Sequence, residues 1–401
     1  TRRSSDLITY IYPAFLKGYL YTVAGFDIYA SWLAVAVITA ILITWINIRG
    51  VKTAAILQTV LTVVIGAVGI LLMIASGFSG SASNVSGQLF NDNAGIITSV
   101  FRVALITPFF FIGFDVIPQA AEEINVDLKK IGKILILSIV LAVAFYGFVV
   151  LAVGFVMSAK DIALSQDGSG LVTADAMAKA FGSTAMSKVL IIGGMCGIIT
   201  SWNSFLMGGS RAMYSMAESY MIPKFFSALH PRFKTPVNAL YLVGALTVLA
   251  PFAGRKMLVW VVDAGNFGCC VAYCLVAVSF LILRKKEPDL ARPYKVPLAT
   301  LVGTLAVAMS GFMVICYMVP ASGSALVPQE WGIAGGWVLL GVLFFVLAKY
   351  KYREQFGLLV NIISPDDARA LQASNSELSA ALDRAIEDAI TFAIRNRGVA
   401  L

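Results

Sequence analysis

The chemistry that this sequence can support is concentrated in residues 106–119, which read Ile-Thr-Pro-Phe-Phe-Phe-Ile-Gly-Phe-Asp-Val-Ile-Pro-Gln. Pro108 and Pro118 bracket Gly113 and Asp115; proline removes a backbone donor, and glycine permits unusual backbone angles. We therefore predict that a membrane helix unwinds near Gly113. Unwound backbone at membrane depth is tolerated where it lines a cavity, and its freed carbonyl groups suit an ammonium group or a cation. A proline kink packed against neighbouring helices is the structural alternative.

Asp115 is the ionisable residue of this run, and an unpaired carboxylate inside a membrane is costly. The carboxylate either contacts a substrate or holds the unwound segment through backbone hydrogen bonds, and the sequence leaves both roles open. The three phenylalanines at 109–111 come directly before the glycine. They could close over a bound ligand.

A second group of polar residues lies in the apolar run 187–212, where Asn203 and Ser204 fall near the middle. Their amide and hydroxyl groups need partners, so a core hydrogen bond and a cavity lining are both open. We interpret the glycines of this run as sites where helices approach closely. Arg211 falls where the run meets the cytosol, and we expect its side chain to extend to the interface.

The composition identifies the environment that positions these residues. Of the 401 residues, 59% are hydrophobic and 13% are charged, and the mean hydropathy is +0.85. These values exclude a soluble enzyme, a nucleic-acid binder and a disordered scaffold. His230 is the single histidine, and the five cysteines lie in apolar runs without metal-site spacing. We therefore expect no catalytic residues, no metal and no cofactor, apart from a coupling ion such as H⁺ or Na⁺.

Nine apolar runs are long enough to predict membrane-spanning helices. They cover residues 28–48, 54–78, 96–118, 132–157, 187–212, 237–253, 257–283, 298–320 and 331–350. Lysines and arginines concentrate in alternate loops and after the last run, which places those loops and the C-terminus in the cytoplasm. The predicted organisation is an extracytoplasmic segment at 1–27, a transmembrane domain at 28–350 and a cytoplasmic tail with an amphipathic helix at 351–401. With nine spans the N-terminal segment lies outside, so we expect an odd number of helices to be missing before it.

Three segments resemble the amino acid–polyamine–organocation superfamily of permeases. They read FFFIGFDVIPQAAEE, SWNSFLMGGSRAMYSMAESYMIPKFF followed by HPRFKTPVNAL, and RKKEPDLARPYKVP. The resemblance implies an all-α LeuT-like fold of two inverted five-helix repeats plus two further helices. The nine runs would be the fourth to twelfth helices of that fold, with the first three missing. It also implies transport by alternating access, coupled to protons, sodium or exchange.

The resemblance further implies where the substrate binds. Its amino group would meet the backbone carbonyls of Phe109 and Ile112, with Phe109 as an aromatic gate, and Asn203 and Ser204 would face the site. The residues that we predict to bind substrate are Phe109, Ile112, Gly113, Phe114, Asp115, Asn203 and Ser204. Some proton-coupled members carry a lysine in the helix that matches residues 61–66, where this chain has none. Sodium coupling, exchange or another proton carrier therefore stays open.

We predict a secondary active transporter for amino acids in the plasma membrane, with a polyamine or other organic-cation carrier as the alternative. A polyamine carrier would need several carboxylates in its cavity, and Asp115 is the one that is well placed. A channel would show charge rings or a repeated carbonyl filter, and a membrane enzyme would need a constellation of catalytic groups. The expected partners are a small-molecule substrate and the lipid bilayer, with no nucleic acid, and the oligomeric state is left open.

Overall fold

The computed structural model describes residues 11–12, 15–86, 95–119, 128–288, 292, 294–322 and 324–352. This part of the chain is predominantly helical. Its α-helices are α1 (Ala30–Ile48), α2 (Val51–Ser79), α3 (Ala82–Ser86), α4 (Ile96–Phe111), α5 (Val116–Gln119), α6 (Leu128–Val156), α7 (Ala159–Asp167), α8 (Val172–Phe181), α9 (Thr184–Glu218), α10 (Val237–Leu249), α11 (Gly254–Lys286), α12 (Ala299–Met318) and α13 (Pro328–Lys351). Short 3₁₀ turns follow α9, α10 and α12. The tail predicted as an amphipathic helix lies outside the described residues.

Seven helices of the described chain are long and apolar enough to cross a membrane: α1, α2, α6, α9, α11, α12 and α13. The 19 residues of α1 rise about 28 Å, close to the thickness of the hydrocarbon layer. Two of the nine predicted runs form shorter helices. The run at 96–118 is divided between α4 and α5, and the run at 237–253 consists of α10 and a 3₁₀ turn. The chain is therefore a multi-pass membrane protein.

A β-hairpin precedes the first span, which the sequence analysis did not predict. Strand β1 (Tyr19–Val23) pairs antiparallel with β2 (Phe26–Tyr29), so α1 begins at Ala30 rather than at residue 28. Ala24 and Gly25 form the two-residue turn, and both have positive φ angles, as this tight class of hairpin requires. The Tyr21 hydroxyl donates to the carbonyl of Phe252 at 2.8 Å. The hairpin is thereby tied to the turn before α11.

Small residues allow the central helix α9 to approach α2 closely, as the sequence predicted for its glycines. A Cβ atom at Gly193 would lie 3.0 Å from Cβ of Val68, and one at Gly197 would lie 2.5 Å from Cδ1 of Ile65. Such distances leave no room for a side chain. Because lipid offers no hydrophobic driving force between helices, this close packing is a main source of their association.

Candidate functional site

The helix predicted to unwind near Gly113 is interrupted there. Helix α4 ends at Phe111, residues 112–115 form turns, and the single turn of α5 follows. Gly113 has a φ of +123°, which side-chain-bearing residues rarely adopt. The amide of Val116 donates to the Gly113 carbonyl at 3.2 Å, which closes a tight turn. The prediction of an interrupted helix is therefore confirmed; below, residues 112–115 are called the break.

The carboxylate of Asp115 organises the break. The Gly113 amide donates to its Oδ1 at 3.0 Å, and Nε2 of Gln119 donates to its Oδ2 at 3.0 Å. A third donor comes from α11, where the Tyr273 hydroxyl lies 3.1 Å from Oδ1. Three donors satisfy a charge that would otherwise be costly at membrane depth. Of the two roles left open by the sequence, the structure supports the one in which Asp115 holds the unwound segment.

The break is held between α9 and α11. On the α11 side, the rings of Phe114 and Tyr273 lie 5.4 Å apart. On the α9 side, Phe205 faces Gly113, and a Cβ atom at Gly208 would collide with Oε1 of Gln119. Glycine at position 208 therefore lets α5 sit directly on α9.

Sequence reasoning missed Phe205, Gly208 and Tyr273 as neighbours of this site. Tyr273 is a hydroxyl-bearing residue inside the predicted span 257–283, and that polarity was the available signal. The glycine had been interpreted only as a residue for helix packing. Nothing in the pattern of either span indicated that it would contact residues 112–119.

Asn203 and Ser204 belong to a separate polar network that joins α1, α2 and α9. Asn203 is completely buried; its oxygen accepts from Nδ2 of Asn47 at 2.8 Å, and its amide nitrogen donates to Oε1 of Gln58 at 3.0 Å. Gln58 Nε2 in turn donates to the Ser204 hydroxyl at 2.9 Å. Buried amides with full partners fix the register of packed helices. The structure thus supports the core hydrogen bond that the sequence had left open.

Two further predictions concern the side chains of Phe109 and Arg211. The backbone of Phe109 lies in α4, but its side chain, the predicted gate, lies outside the described residues. The side chain of Arg211 was expected to extend to the interface, and this was wrong. The residue is 8% exposed, and its guanidinium donates to the carbonyl of Met207 at 3.0 Å, one turn back along α9.

A polar clasp at the far end of α6 connects α7 with α8. The carboxylate of Asp161 accepts from Nζ of Lys179 at 2.8 Å and from the hydroxyl and amide of Ser158. These donors, first the Lys179 ammonium, hold the pKa of Asp161 well below its usual range.

Beside the clasp is an apolar cavity of about 460 Å³, which contains none of the predicted site residues. It is lined by Val85, Val149, Val150, Leu151, Val153, Gly154, Ile162, Gln166, Val172 and Thr173.

The fold and the break define a class of protein: multi-pass membrane proteins with an interrupted helix braced between two continuous helices. Comparison with known families makes the class specific, because the family model described as amino acid permease matches residues 6–345. The chain belongs to the amino acid permease family.

Several curated relatives support this assignment. The chain is 28% identical to the branched-chain amino acid permease BcaP of Bacillus subtilis (strain 168) over 259 residues, which are 64% of this chain and 51% of that protein. It is 26% identical to the methylthioribose transporter of the same organism over 340 residues, 85% of this chain and 68% of the relative. It is also 26% identical to the Asc-type amino acid transporter 1 of Mus musculus over 321 residues, 77% of this chain and 56% of the relative.

The chain therefore spans about half to two thirds of the length of these relatives. All three are named as permeases or transporters, in agreement with the expectation that this protein is not an enzyme.

Proposed function

We propose that this chain belongs to a secondary active transporter that moves amino acids across the plasma membrane by alternating access. The observation that carries the proposal is the interruption of the helix at Gly113, inside a run otherwise apolar enough to span the membrane. A helix that ends leaves its last four carbonyl groups without intrahelical partners. Carbonyl dipoles at the end of a helix attract cations, and the α-ammonium group of an amino acid is one.

In this proposal the substrate amine binds at the carbonyls of Phe109 and Ile112, beside Gly113 and Phe114. The aromatic side chain of Phe109 is proposed as the gate over the bound molecule. Asp115 is proposed to support the site without contacting the substrate, because its oxygens already accept hydrogen bonds from three donors. Asn203 and Ser204 were predicted to face the substrate; given the complete burial of Asn203, we propose that they keep α9 in register instead.

Alternating access is proposed to use the two inverted repeats that the family resemblance implies, with the break in the first span of the second repeat. Movement would be driven by H⁺ or Na⁺, or by exchange of one amino acid for another. Residues 61–66 of α2 contain no lysine, so a lysine-based proton carrier at that position is not part of the proposal. The loop charges favour a cytoplasmic C-terminus.

Two other substrates are to be tested against amino acids. A polyamine or another organic cation would bind the same carbonyls, but the break offers one carboxylate, and that one is internally paired. The match over 85% of the chain to a protein named as a methylthioribose transporter favours a thiosugar as the second candidate. A thiosugar has no amino group and would gain little from helix-end carbonyls.

The test is a thermal-shift screen of the complete purified protein against the twenty amino acids, common polyamines and methylthioribose. We expect one or a few amino acids to raise the unfolding temperature. The same compounds should give saturable, mutually competing uptake into liposomes. If only methylthioribose, or only polyamines, stabilise the protein, the proposed substrate class is wrong. If the flux does not saturate, the protein is a channel and not a carrier.

A further inference from the structure

We infer that Tyr273 is a positioning residue: through Asp115 and the Gly113 amide, its hydroxyl sets the direction of the Ile112 carbonyl that receives the substrate amine. The inference rests on the proposed function, since it assigns a role within the same site. It adds a residue from α11 that is absent from the predicted substrate-binding set.

The first step is the geometry of one peptide unit. The amide N–H of Gly113 and the carbonyl of Ile112 belong to the same planar group, and no cis peptide bond occurs in the described residues. In a trans peptide the N–H and C=O point in opposite directions. Because the N–H points at Oδ1 of Asp115 at 3.0 Å, the Ile112 carbonyl must point away from that carboxylate.

The second step is the orientation of the carboxylate itself. A carboxylate with one partner can rotate about its χ2 torsion, because that well is broad. Here both oxygens are held: Oδ2 by Gln119 from the same segment, and Oδ1 by the Tyr273 hydroxyl from α11. Oδ1 also accepts from the Gly113 amide. The hydrogen bond from Tyr273 and the one that orients the peptide plane therefore share a single acceptor atom.

The third step is the rigidity of the anchor. Tyr273 lies well inside the 33-residue helix α11, away from either end, and its ring packs on Phe114 at 5.4 Å. Without this contact the carboxylate would be held only by residues of its own segment. Gly113 has an unusual φ angle that glycine can leave cheaply, so the peptide orientation needs an external support. Tyr273 supplies that support from a membrane-spanning helix.

A positioning role of this kind affects the amine more than the rest of the substrate. Removing the hydroxyl leaves the packing of the ring in place, but Oδ1 then keeps only the Gly113 amide as a donor, and the peptide plane loses its support from α11. The Ile112 carbonyl would then sample directions that do not meet the ammonium group. Contacts to the carboxylate and side chain of the amino acid would be unchanged.

The experiment compares Tyr273→Phe with Tyr317→Phe in the complete protein, reconstituted in liposomes with the amino acid that stabilises the wild type best. Tyr317 is likewise a tyrosine in a membrane span, but it is buried and its ring packs against Phe267 in another cluster. We expect Tyr273→Phe to raise the KM for uptake about tenfold, from the loss of a hydrogen bond to a charged group, with a smaller change in turnover. Tyr317→Phe should leave both values within about twofold of the wild type.

A double-mutant cycle then tests the path through Asp115. In an Asp115→Ala background, Tyr273→Phe should have no further effect on the KM, because the group through which it acts is gone. Inhibition of uptake by the α-hydroxy acid analogue, which lacks the amine, should weaken less than twofold in Tyr273→Phe. The inference is overturned if Tyr273→Phe leaves the KM unchanged, or if its effect on the KM is as large in the Asp115→Ala background as in the wild type. It is also overturned if the affinity for the α-hydroxy acid falls as much as the affinity for the amino acid.

Two controls separate the failure modes. Thermal unfolding of every variant identifies misfolding, and Gln119→Ala probes the carboxylate from its other oxygen if Tyr273→Phe does not fold. Gln119→Ala should raise the KM in the same direction and should also be silent in the Asp115→Ala background. If the wild type binds no amino acid, the proposed function fails; if it binds and these variants behave like the wild type, the inference alone fails.

Discussion

At the scale of single residues, Gly113 and Asp115 perform complementary tasks. Gly113 supplies a backbone angle of φ +123° that lets the chain leave the helix, and Asp115 supplies an acceptor for the amide exposed by that departure. Without glycine at position 113 the backbone would be strained. Without Asp115 the Gly113 amide would lack an acceptor at membrane depth. Because only one residue separates them, the Asp115 side chain can reach back to the Gly113 amide.

Gly113→Ala should destabilise the protein through its backbone rather than through a collision. A Cβ atom at this position would lie 3.9 Å from the ring of Phe205, an ordinary contact, whereas the φ angle costs about 1–3 kcal/mol for a residue with a side chain. We expect a lower unfolding temperature and weaker substrate binding, measured by thermal shift with and without substrate. Gly194→Ala, in open space on α9, is the matched control and should not lower stability.

Asp115→Asn should leave expression intact but lower turnover. The amide keeps the shape of the side chain, yet its nitrogen cannot accept a hydrogen bond, so at least one of the three donors loses its acceptor. We expect about a tenfold loss in the rate of uptake, measured in liposomes with a protein amount verified by chromatography. A normal turnover number together with an unchanged KM would mean that the carboxylate is dispensable.

At the scale of the elements, α9 uses different residues for different neighbours. Asn203 connects it to α1 and α2 by hydrogen bonds, while Phe205 faces the break and Gly208 faces α5. The absence of a side chain at position 208 lets the Val116 and Gln119 side chains of the short helix α5 pack closely on α9. Close contact therefore determines where α5, and with it Gln119 and the Asp115 carboxylate, is placed.

The neighbouring glycines of α9 give a matched pair of substitutions. A Cβ atom at Gly208 would collide with Gln119 and lie 3.0 Å from Val116, whereas one at Gly209 meets nothing within 4 Å. We expect Gly208→Ala to destabilise by about 1–3 kcal/mol, as overpacking does. Gly209→Ala should stabilise by about 0.5–1 kcal/mol, because alanine costs less entropy in a helix. Thermal or denaturant unfolding in detergent measures both; similar values for the two would contradict the packing described here.

The clasp between α7 and α8 should depend on pH. The pKa of Asp161 is lowered in the folded protein by Lys179 and Ser158, so the stability it contributes is fully present above the ordinary carboxyl range. It is lost as the pH falls below about 4 and through the folded value. Hydrogen exchange, corrected for intrinsic rates, should show faster opening of both helices at pH 3 than at pH 6.

Asp161→Asn should produce that faster opening already at pH 6, while Lys160→Gln, at an exposed position of the same helix, should not. An Asp161→Asn variant with wild-type exchange at both pH values would mean that the clasp does not hold the two helices together.

At the scale of the whole molecule, the loop charges predict an orientation that labelling can test. In a background without the five native cysteines, Lys160→Cys on α7 and Lys285→Cys at the end of α11 place single thiols at exposed positions. The positive-inside rule places α7 outside and the end of α11 in the cytoplasm. A membrane-impermeant thiol reagent should therefore label position 160 on intact cells, and position 285 only after permeabilisation. The reverse pattern would invert the proposed topology.

The sequence by itself determined the membrane-spanning character and the position of the interruption. Both follow from local physics: the length of an apolar run decides whether a helix can cross the bilayer, and prolines around a glycine weaken one stretch of helix. The hairpin before α1 escaped the sequence analysis because its strands are only five and four residues long. Their contact with α11, where Val23 and Ile28 lie against Gly254, forms only after folding.

Only the tertiary structure decided what surrounds the interruption. Tyr273 is 158 residues from Asp115 in the chain, and Asn47 and Asn203 are 156 residues apart. Such pairings depend on which helices become neighbours, and a span's apolar pattern contains almost no information about that choice, because lipid and protein interior are equally apolar. Hydrogen bonds between distant polar groups then select one arrangement among many, and in this one the Asp115 carboxylate accepts donors from the break, from α5 and from α11.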